Sequence, residues 1–467
     1  MVAGDGQQAK EPYDLARPRT WPGTRVLVRP GAPTGATPHP PSSKYYTLRY
    51  LLTALLADGE STISDPARSD DTDVLVAALG ALGAAVAWRG EPPALWVRGC
   101  AGRPRAPADG VVRVGNAGAV LRLLLGVGAL LPEVRFETDH PDSLGTRPNA
   151  DLLAALAQLG IHAEAREPGG RLPITLRGGP PPGGAVSVSG ARSSQYLSAL
   201  LYLAPLTARG LRISVTDELR SAPLVRATLR ALGEAGIQVT ATDDLRAFTV
   251  AGGQVYRPRA ARVPGDGPSA AALVAAALAL DAPLRLERLD AREDDVAALL
   301  AALAALGAPL AEAPAALAGD PPARVLVPGA RLRGARVDGD GCIDSVPVLA
   351  AAACFAAGES RFERVATLRL KESDRLGDLA AELTRAGADV RAEADALVVR
   401  GRPEGIAGGA TVDAHQDHRL AQALAIVALR SRHGLTITSA AHVAKSYPWF
   451  FADLAAMGAE VVPLADG

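Results

Sequence analysis

Residues 368–391 read LRLKESDRLGDLAAELTRAGADVR and combine two signals. The first is a helix pattern that ends at Gly387 and is followed by a short apolar run typical of a strand. The second is the charged cluster 371–375, which lies where a strand pattern gives way to this helix. The cluster alone fits either a solvated first helical turn or a site that needs a cation beside a carboxylate. The rest of the chain is needed to choose between them.

The helix-glycine-strand pattern recurs six times, at intervals of about 75 residues, which is the spacing of a repeat architecture. Each glycine follows an Ala/Leu-rich helix pattern and is predicted to cap that helix in the left-handed region. The six glycines are Gly83, Gly160, Gly236, Gly307, Gly387 and Gly458.

Each repeat is predicted to contain two helices and several strands. Short strands follow the glycines, as at 237–240 and 388–391. A second helix and strand lie nearby in several units: 51–57 with 61–64, 348–357 with 360–365, and 420–429 with 435–438. Because one such unit cannot bury its own apolar face, six of them predict a compact α/β fold built from repeats.

Two loops mark the boundaries of two predicted lobes. The stretch 252–259 is rich in Gly, Pro and Arg, and the Pro-rich loop 30–41 separates the first strand from the first helix. We predict a flexible N-terminal tail over 1–22. Lobe one, discontinuous and made of three repeats, is predicted over 23–40 plus 258–467, and lobe two, also of three repeats, over 41–257. A cleft between the lobes is the expected ligand site.

The composition predicts a globular protein that acts on small molecules. Of 467 residues 48% are hydrophobic and the formal net charge is -1, which gives no indication of nucleic acid or a membrane as partner. Cys100, Cys342 and Cys354 lie far apart, so neither a disulfide framework nor a zinc site is indicated, and we expect a reducing cytoplasm. Residues 1–21 lack the apolar core of a signal peptide, and Ala-rich runs such as 296–306 are too short to cross a bilayer.

Polar residues gather where strand patterns meet helix patterns. Helix starts attract anions, and cations at these junctions strengthen that preference. The proton carriers among them are Asp344, Glu372 and His418, although a lone Asp or His at such a place is more often structural. If the junctions of both lobes face one cleft, the set indicates one or two anionic ligands. The cations are Lys44, Arg49, Arg147, Lys371, Arg375, Arg419 and Lys445.

Three further junctions carry groups that suit a phosphate. Ser193-Ser194-Gln195 and Ser221-Ala222-Pro223 each precede a helix, and Gly115-Asn116-Ala117-Gly118 links a strand to a helix. Hydroxyls and free backbone N–H groups bind phosphate, but helix caps and a tight turn explain the same residues.

Taken in order, these pieces match the motifs of a known family. The chain resembles the enolpyruvyl transferases over 25–462 and is most similar to their EPSP synthase branch. The resemblance implies a two-lobed inside-out α/β barrel built from six βαβαββ-like repeats. The matching pieces are Ser43-Lys44 with Arg49, Ser69-Asp70-Asp71, Gly115-Asn116-Ala117-Gly118 with Arg122, Arg147-Pro148, Ser193-Ser194-Gln195, Ser221 with Pro223, Asp344, Lys371-Glu372-Ser373-Asp374-Arg375, Asp417-His418-Arg419 and Ala444-Lys445.

The resemblance also implies a reaction. The enolpyruvyl group of phosphoenolpyruvate would move to a hydroxyl of a phosphorylated acceptor, with 3-phosphoshikimate as the first candidate. Phosphate would leave through a tetrahedral ketal intermediate. No metal or organic cofactor is implied, and a monomer is expected.

The family match assigns roles to the site residues. Asp344 would take the proton of the attacking hydroxyl, and Glu372, with Lys44 or His418 nearby, would manage the proton at the methylene carbon. Phosphoenolpyruvate would be held by Lys44, Gly118, Arg147, Gln195, Arg375, Arg419 and Lys445. The remaining substrate contacts would be Ser193, Ser194, Ser221, Arg49, Lys371 and Asn116.

Some positions depart from the family pattern. Tyr45 stands where a serine contacts the shikimate carboxylate, Leu224 where a tyrosine touches the acceptor, and Thr367 where an Asn or Glu is usual. Ala119 and Leu123 replace a Thr and a Pro near the phosphoenolpyruvate pocket. The reaction type is therefore better indicated than the acceptor.

Two alternatives remain open. One is a secondary-metabolism paralogue that uses another acceptor such as UMP, whose base Tyr45 would stack on. The other is a non-catalytic binding protein on the same scaffold. A UDP-N-acetylglucosamine enolpyruvyl transferase is disfavoured by the motifs at 193–195 and 371–375, although Asp142 lies where that branch has its reactive residue.

Overall fold

The computed structural model describes residues 23–90, 94–166 and 169–465. The predicted tail over 1–22 lies outside these residues. Within them, no helix combines the length and the hydropathy that a membrane crossing requires.

Short strands of two to five residues alternate with helices along the described chain. They are β1 Arg25–Arg29, β2 Glu60–Ser64, β3 Ala85–Arg89, β4 Ala94–Arg98, β5 Val111–Arg113, β6 Glu133–Glu137, β7 His162–Ala165, β8 Ile174–Arg177, β9 Gly184–Val188, β10 Leu211–Val215, β11 Thr240–Ala241, β12 Ala247–Val250, β13 Ala260–Arg262, β14 Leu284–Leu286, β15 Ala311–Ala313, β16 Ala323–Leu326, β17 Arg336–Asp338, β18 Glu359–Glu363, β19 Asp389–Ala392, β20 Ala396–Arg400, β21 Thr411–Asp413, β22 Leu435–Thr438 and β23 Glu460–Leu464.

The helices begin and end with the signals found in the sequence. Ser43 caps the first helix by accepting the N–H of Tyr46, as a serine at an N-cap does. The six repeat glycines all have positive φ, from 82° at Gly236 to 114° at Gly458, which confirms their predicted left-handed conformation. The α-helices are α1 Lys44–Leu56, α2 Asp70–Ala81, α3 Gly118–Gly128, α4 Ala150–Gln158, α5 Ser194–Leu203, α6 Ala222–Glu234, α7 Gly267–Leu280, α8 Asp294–Ala305, α9 Val346–Ala353, α10 Arg375–Arg385, α11 His418–Ala428 and α12 Phe450–Ala456.

The strands form six sheets, five with four strands and one, β14-β16-β15, with three. In the unit that contains α3 and α4, β5 runs parallel to β6, and β8 lies antiparallel between β6 and β7. The same order of pairing recurs in the sheets built from β9 to β12 and from β17 to β20. The six βαβαββ-like repeats predicted from the sequence are confirmed.

Two units take a strand from a distant part of the chain. β13 pairs in parallel with β2 and is the first strand of the unit that contains α1 and α2. β1 lies antiparallel between β22 and β23 and completes the last unit. The chain therefore crosses between the two groups of units after β1 and again after β13, and the crossings touch at an antiparallel bridge between Ser42 and Gly265.

The buried apolar residues form two clusters. One contains Val26 and Val28 with residues between 270 and 459, and the other contains residues between 46 and 263. We keep the names lobe one and lobe two for these groups. The predicted boundaries at 40/41 and 257/258 stay predictions, and β13, which follows the second boundary, packs through Ala261 in the 46–263 cluster.

The first helix of each unit lies at the centre of its lobe. Every residue of α11 is buried, and α3 approaches α5 so closely that a Cβ on Gly126 would stand 2.5 Å from the Ala199 carbonyl oxygen. The second helices bury one face only, as α10 does with Leu376, Leu379 and Leu383. Helices inside and sheets outside confirm the two-lobed inside-out α/β arrangement. Within the described ranges the six sheets stay separate, and none closes into a barrel.

Two local predictions are wrong. The strand predicted over 237–240 begins only at Thr240, because the N–H of Gln238 donates to the Gln254 side chain at 2.8 Å instead of to a strand. The segment before the charged cluster is the 3-10 helix Ala366–Leu370, and β18 ends before it. Asp395 accepts the N–H of Ala366 at 2.6 Å, which turns the chain away from the sheet.

Candidate active site

Junctions from both lobes meet in one buried network of charged side chains. Lys44, Arg375 and His418 are the first residues of α1, α10 and α11, and Lys445 ends the 3-10 helix Ala440–Lys445. None of these four residues is more than 8% exposed. Buried charges are tolerated only with partners, so the pairing of each one determines what the site can do.

Arg375 is the most extensively paired member of this network. Its guanidinium donates to Asp417 from Nε at 2.7 Å and from Nη2 at 3.1 Å. It also donates to Asp344 from Nη1 at 2.7 Å and to Glu372 from Nη2 at 2.6 Å. Burial lowers the pKa of Arg375, but Asp417, Glu372 and Asp344 raise it above its usual value. Arg375 therefore stays charged and fixes three carboxylates in one array.

Asp344 contacts cations through one oxygen and a tyrosine through the other. Oδ1 lies 2.7 Å from Nη1 of Arg375 and 3.4 Å from Nζ of Lys371, whereas Oδ2 accepts from the Tyr45 hydroxyl. Burial raises the pKa of Asp344, but Lys371, Arg375 and Arg419 outweigh burial and hold this pKa well below its usual range. The carboxylate is ionised, which is the form that a general base requires.

Glu372 joins the two lobes. Its Oε1 lies 3.1 Å from Nζ of Lys445 and 3.9 Å from Nη1 of Arg147. Lys445 also donates to the carbonyl oxygen of Asn116 at 2.6 Å. Burial raises the pKa of Glu372, but Lys445, Arg375 and Arg147 lower it well below its usual value. Glu372 is therefore ionised as well.

Arg147 lies against the start of α3, and this approach requires a glycine. A Cβ on Gly118 would stand 2.5 Å from Nη1 of Arg147. Nη2 of Arg147 reaches the Leu370 carbonyl oxygen at 3.4 Å, while its Nε is buried and has no hydrogen-bond partner among the described residues. This donor suits an anion placed between Gly118 and Arg147.

His418 is buried among cations. Burial, Arg419 and Lys44 together lower the pKa of His418 well below its usual value, so its imidazole is neutral at neutral pH. Its Nδ1 is 3.7 Å from Oδ1 of Asp417, too long for a hydrogen bond. Lys44 itself pairs with Asp71 at 3.0 Å.

The guanidinium of Arg419 is only partly hydrogen-bonded within the described residues. Its Nη1 donates to the Gln422 side chain at 3.3 Å, and its Nη2 is 3.9 Å from Oδ2 of Asp266. Its Nε, with Nε2 of Gln422, is buried without a hydrogen-bond partner in the described chain. A guanidinium in this state can bind a carboxylate or a phosphate.

The side chain of Arg49 forms hydrogen bonds to other residues of the protein. Its guanidinium donates to the carbonyl oxygens of Tyr45 at 3.0 Å and Leu224 at 2.7 Å, and to Oγ1 of Thr228 at 2.9 Å. Its predicted contact with the acceptor stays a prediction, but these bonds fix the backbone at Tyr45 and Leu224, two of the positions that depart from the family pattern.

The serine junctions serve as helix starts. Ser193 caps α5 by accepting the N–H of Gln195 at 3.3 Å, and Oε1 of Gln195 accepts from Nη1 of Arg122 at 2.9 Å. Burial and Arg147 lower the pKa of Arg122 to about 10. Arg122 was noted in the sequence only as part of a motif, and the structure shows that it orients Gln195.

Ser221 connects the lobes through its backbone. It adopts the left-handed conformation with φ 55°, and its N–H donates to both carboxylate oxygens of Asp340 at 2.9 Å. Asp340 belongs to the 3-10 helix that precedes Asp344. The predicted site residue Ser221 is therefore held near Asp344, the predicted base, by a contact between the lobes.

The structure brings the predicted proton carriers Asp344 and Glu372 into contact with four of the predicted cations, Arg147, Lys371, Arg375 and Lys445, whereas Nδ1 of His418 lies 3.7 Å from Asp417. Ser193 connects to the network through Gln195, whereas the carbonyl oxygen of Ser194 accepts from the Ser198 hydroxyl inside α5. Asp374 caps α10 by accepting the N–H of Gly377 at 3.0 Å, so part of the charged cluster is structural. Sequence reasoning missed the contact of Tyr45 with Asp344, because the two residues are 299 positions apart and no local pattern links them.

A family model and curated relatives match most of the chain. The model of a family described as EPSP synthase (3-phosphoshikimate 1-carboxyvinyltransferase) matches residues 28–454. The chain is 43% identical to a 3-phosphoshikimate 1-carboxyvinyltransferase of Deinococcus radiodurans, over 93% of this chain and 96% of that protein. It is 36% identical to a protein of the same name from Burkholderia pseudomallei, over 90% of this chain and 91% of that protein.

Solved structures with the same fold include an EPSP synthase of Acinetobacter baumannii, with a TM-score of 0.76, 25% identity and coverage of 94% of this chain and 99% of that chain. The enolpyruvyl transferase NikO of Streptomyces tendae matches with a TM-score of 0.75 over 96% of this chain and 100% of that chain. Its sequence identity is 19%, so this likeness concerns the fold alone.

The neutral, buried state of His418 predicts a pH dependence of stability. In the unfolded chain a histidine has a pKa of about 6.5 and binds a proton below that pH, whereas folded His418 does not. Acidification therefore favours unfolding, by up to about 1.4 kcal/mol per pH unit below that value. In denaturant unfolding at pH 7.5, 6.5 and 5.5, His418→Asn should lose less stability on acidification than the wild type.

The control for this experiment is His433→Asn, which replaces an exposed histidine and should keep the wild-type slope. An unchanged slope in His418→Asn would show that His418 is protonated in the folded protein.

Proposed function

The chain belongs to the EPSP synthase family, and from this premise we propose that it transfers the enolpyruvyl group of phosphoenolpyruvate to a hydroxyl of 3-phosphoshikimate and releases phosphate. The observation that carries the proposal is the buried contact of Glu372 and Asp344 with cations supplied by both lobes, at the positions of the family motifs. A binding protein has no need of two ionised carboxylates inside a cationic site.

Phosphoenolpyruvate suits the cations of this site. It carries a carboxylate and a phosphate, and guanidinium forks and ammonium groups bind both. The Nε atoms of Arg147 and Arg419, which have no hydrogen-bond partner among the residues that the structure describes, are the donors best placed for it. Arg375 gives four hydrogen bonds to carboxylates, so we assign it chiefly the task of orienting them. The proposed phosphoenolpyruvate residues are Lys44, Gly118, Arg147, Gln195, Arg375, Arg419 and Lys445.

The acceptor is proposed to bind on the side of Ser193, Ser194 and Ser221, where hydroxyls and helix starts favour its phosphate. Lys371, which lies 3.4 Å from the Asp344 carboxylate, would contact the acceptor beside the base. Asn116 and Arg49 complete the proposed substrate-binding set.

The charge balance of the site indicates how the base becomes active. The pKa of Asp344 is low because Lys371, Arg375 and Arg419 face it, after burial is overcome. Two anionic substrates would take up part of that positive charge and raise the pKa of Asp344 towards a useful value. The carboxylate would then accept the proton of the acceptor hydroxyl as its oxygen attacks the central carbon of phosphoenolpyruvate.

Glu372 is proposed to carry the second proton. When anionic phosphoenolpyruvate binds, it would offset the surrounding cations and raise the pKa of Glu372, which would take up a proton from solvent. Glu372 would deliver this proton to the methylene carbon as the tetrahedral ketal forms, and take a proton back from that carbon as phosphate leaves. Asp344 would return its proton to the departing phosphate, so that both carboxylates end as they began. Neutral His418 and Lys44 would assist from the same side of the site. The proposed chemistry requires no metal or organic cofactor, and we place the enzyme in the cytoplasm.

The test of this function is phosphate release from phosphoenolpyruvate with a panel of acceptors. We expect turnover with 3-phosphoshikimate and none with UMP or UDP-N-acetylglucosamine. Turnover with UMP alone would identify a secondary-metabolism paralogue and overturn the proposed acceptor. If no acceptor in a broad panel supports phosphate release, the result would favour a non-catalytic binding protein.

Glu372→Gln tests the assignment of the second proton carrier. Because the amide keeps the shape but cannot carry the proton, kcat should fall about 10²-fold to 10⁴-fold, while calorimetric affinity for phosphoenolpyruvate stays close to that of the wild type. The control is Glu382→Gln within α10, which changes a buried carboxylate that faces His415 and the backbone of Asp413. Parallel losses of binding and kcat in Glu372→Gln would contradict the assigned role.

A further inference from the structure

Two consecutive tyrosines at the start of α1 reach carboxylates of the opposite lobe. The hydroxyl of Tyr45 donates to Asp344, and that of Tyr46 donates to Glu293. Burial and Asp344 raise the pKa of Tyr45 well above its usual value, so the phenol keeps its proton and acts as a donor. The side chain of Tyr45 therefore binds the proposed base directly and across the boundary between the lobes.

The two oxygens of Asp344 have different surroundings. The two cations that form ion pairs with Asp344, Arg375 and Lys371, lie at Oδ1, whereas the Tyr45 hydroxyl lies at Oδ2. An oxygen held by two cations is the weaker proton acceptor. Oδ2 is thus the better placed of the two to take a proton, and a carboxylate oxygen has a second lone pair beside the one that accepts from the phenol.

The backbone of Tyr45 is itself fixed on the wall of a small pocket between the lobes. This pocket is lined by Tyr45, Leu224, Ser221 and Asp344, among others. Arg49 bonds to the carbonyl oxygens of both Tyr45 and Leu224. Because its backbone is held in this way, the Tyr45 phenol contacts Asp344 from a fixed position. A residue that orients another side chain must itself be held in place.

We propose that Tyr45 is a positioning residue for the transfer reaction: its hydroxyl holds Asp344 so that Oδ2 faces the hydroxyl of the acceptor when the two lobes are together. This inference rests on the proposed function, in which Asp344 accepts the acceptor's proton. It gives a catalytic reason for a tyrosine at a position where the resemblance places a serine.

Tyr45→Phe tests the inference, with Tyr46→Phe as the matched control. Each variant removes one hydroxyl that links the same helix to a carboxylate of the other lobe, so both should lower the thermal midpoint by similar amounts. Only Tyr45→Phe should lower kcat, by about tenfold to a hundredfold, the range expected for a hydrogen bond to a charged group. The KM values for phosphoenolpyruvate and 3-phosphoshikimate should change by less than about threefold, because the lost contact acts on the base and not on ground-state binding.

The possible results distinguish a failure of the positioning role from a failure of the proposed function. An equal fall of kcat in both variants, a wild-type kcat in Tyr45→Phe, or a raised KM with unchanged kcat would each overturn the positioning role while leaving the proposed function intact. A wild-type enzyme that releases no phosphate with 3-phosphoshikimate would overturn the proposed function, and the inference with it.

Discussion

The guanidinium of Arg375 organises the charged centre of this protein. It is 1% exposed and donates four hydrogen bonds to Asp344, Glu372 and Asp417, all from lobe one. These three carboxylates, none more than 13% exposed, lie side by side because this cation lies between them, with Lys371 and Lys445 as further partners. Asp344 and Glu372 in turn contact lobe two, through Tyr45 and through Arg147. The array that Arg375 fixes is thus one of the places where the two lobes meet.

The repeats explain why such an array can be built. Each unit has a buried first helix, and the start of that helix is a place where polar residues can lie at the edge of an apolar core. Glycine, alanine and leucine patterns predicted the six units and their caps, since those patterns depend on neighbours along the chain. The predicted lobe one already joined 23–40 to 258–467, but the strands that pair with β1 and β13 were not predicted, because strand pairing over such distances leaves no local pattern.

The same distinction holds within the site. The residue types at the junctions were predictable, because a cation or carboxylate at a helix start has a recognisable sequence context. Their partners were not. Arg49 bonds to the backbone of Tyr45 and Leu224, and its contact with the acceptor stays a prediction. The Tyr45 hydroxyl bonds to Asp344, a contact that no local pattern indicates. In each case the partner is supplied by a packing contact between helices or lobes. The departures from the family pattern at Tyr45 and Leu224 therefore lie together in one pocket with Asp344, the proposed base.

The most direct test of this account is to measure the free energy of unfolding of Arg375→Met in denaturant and to compare it with that of the wild type. Methionine keeps much of the volume but removes the charge, leaving three buried carboxylates without their common cation. The account predicts that the free energy of unfolding falls by about 3–5 kcal/mol, the amount associated with breaking a buried ion pair. Unchanged stability in Arg375→Met would contradict the claim that this interaction holds the charged centre together.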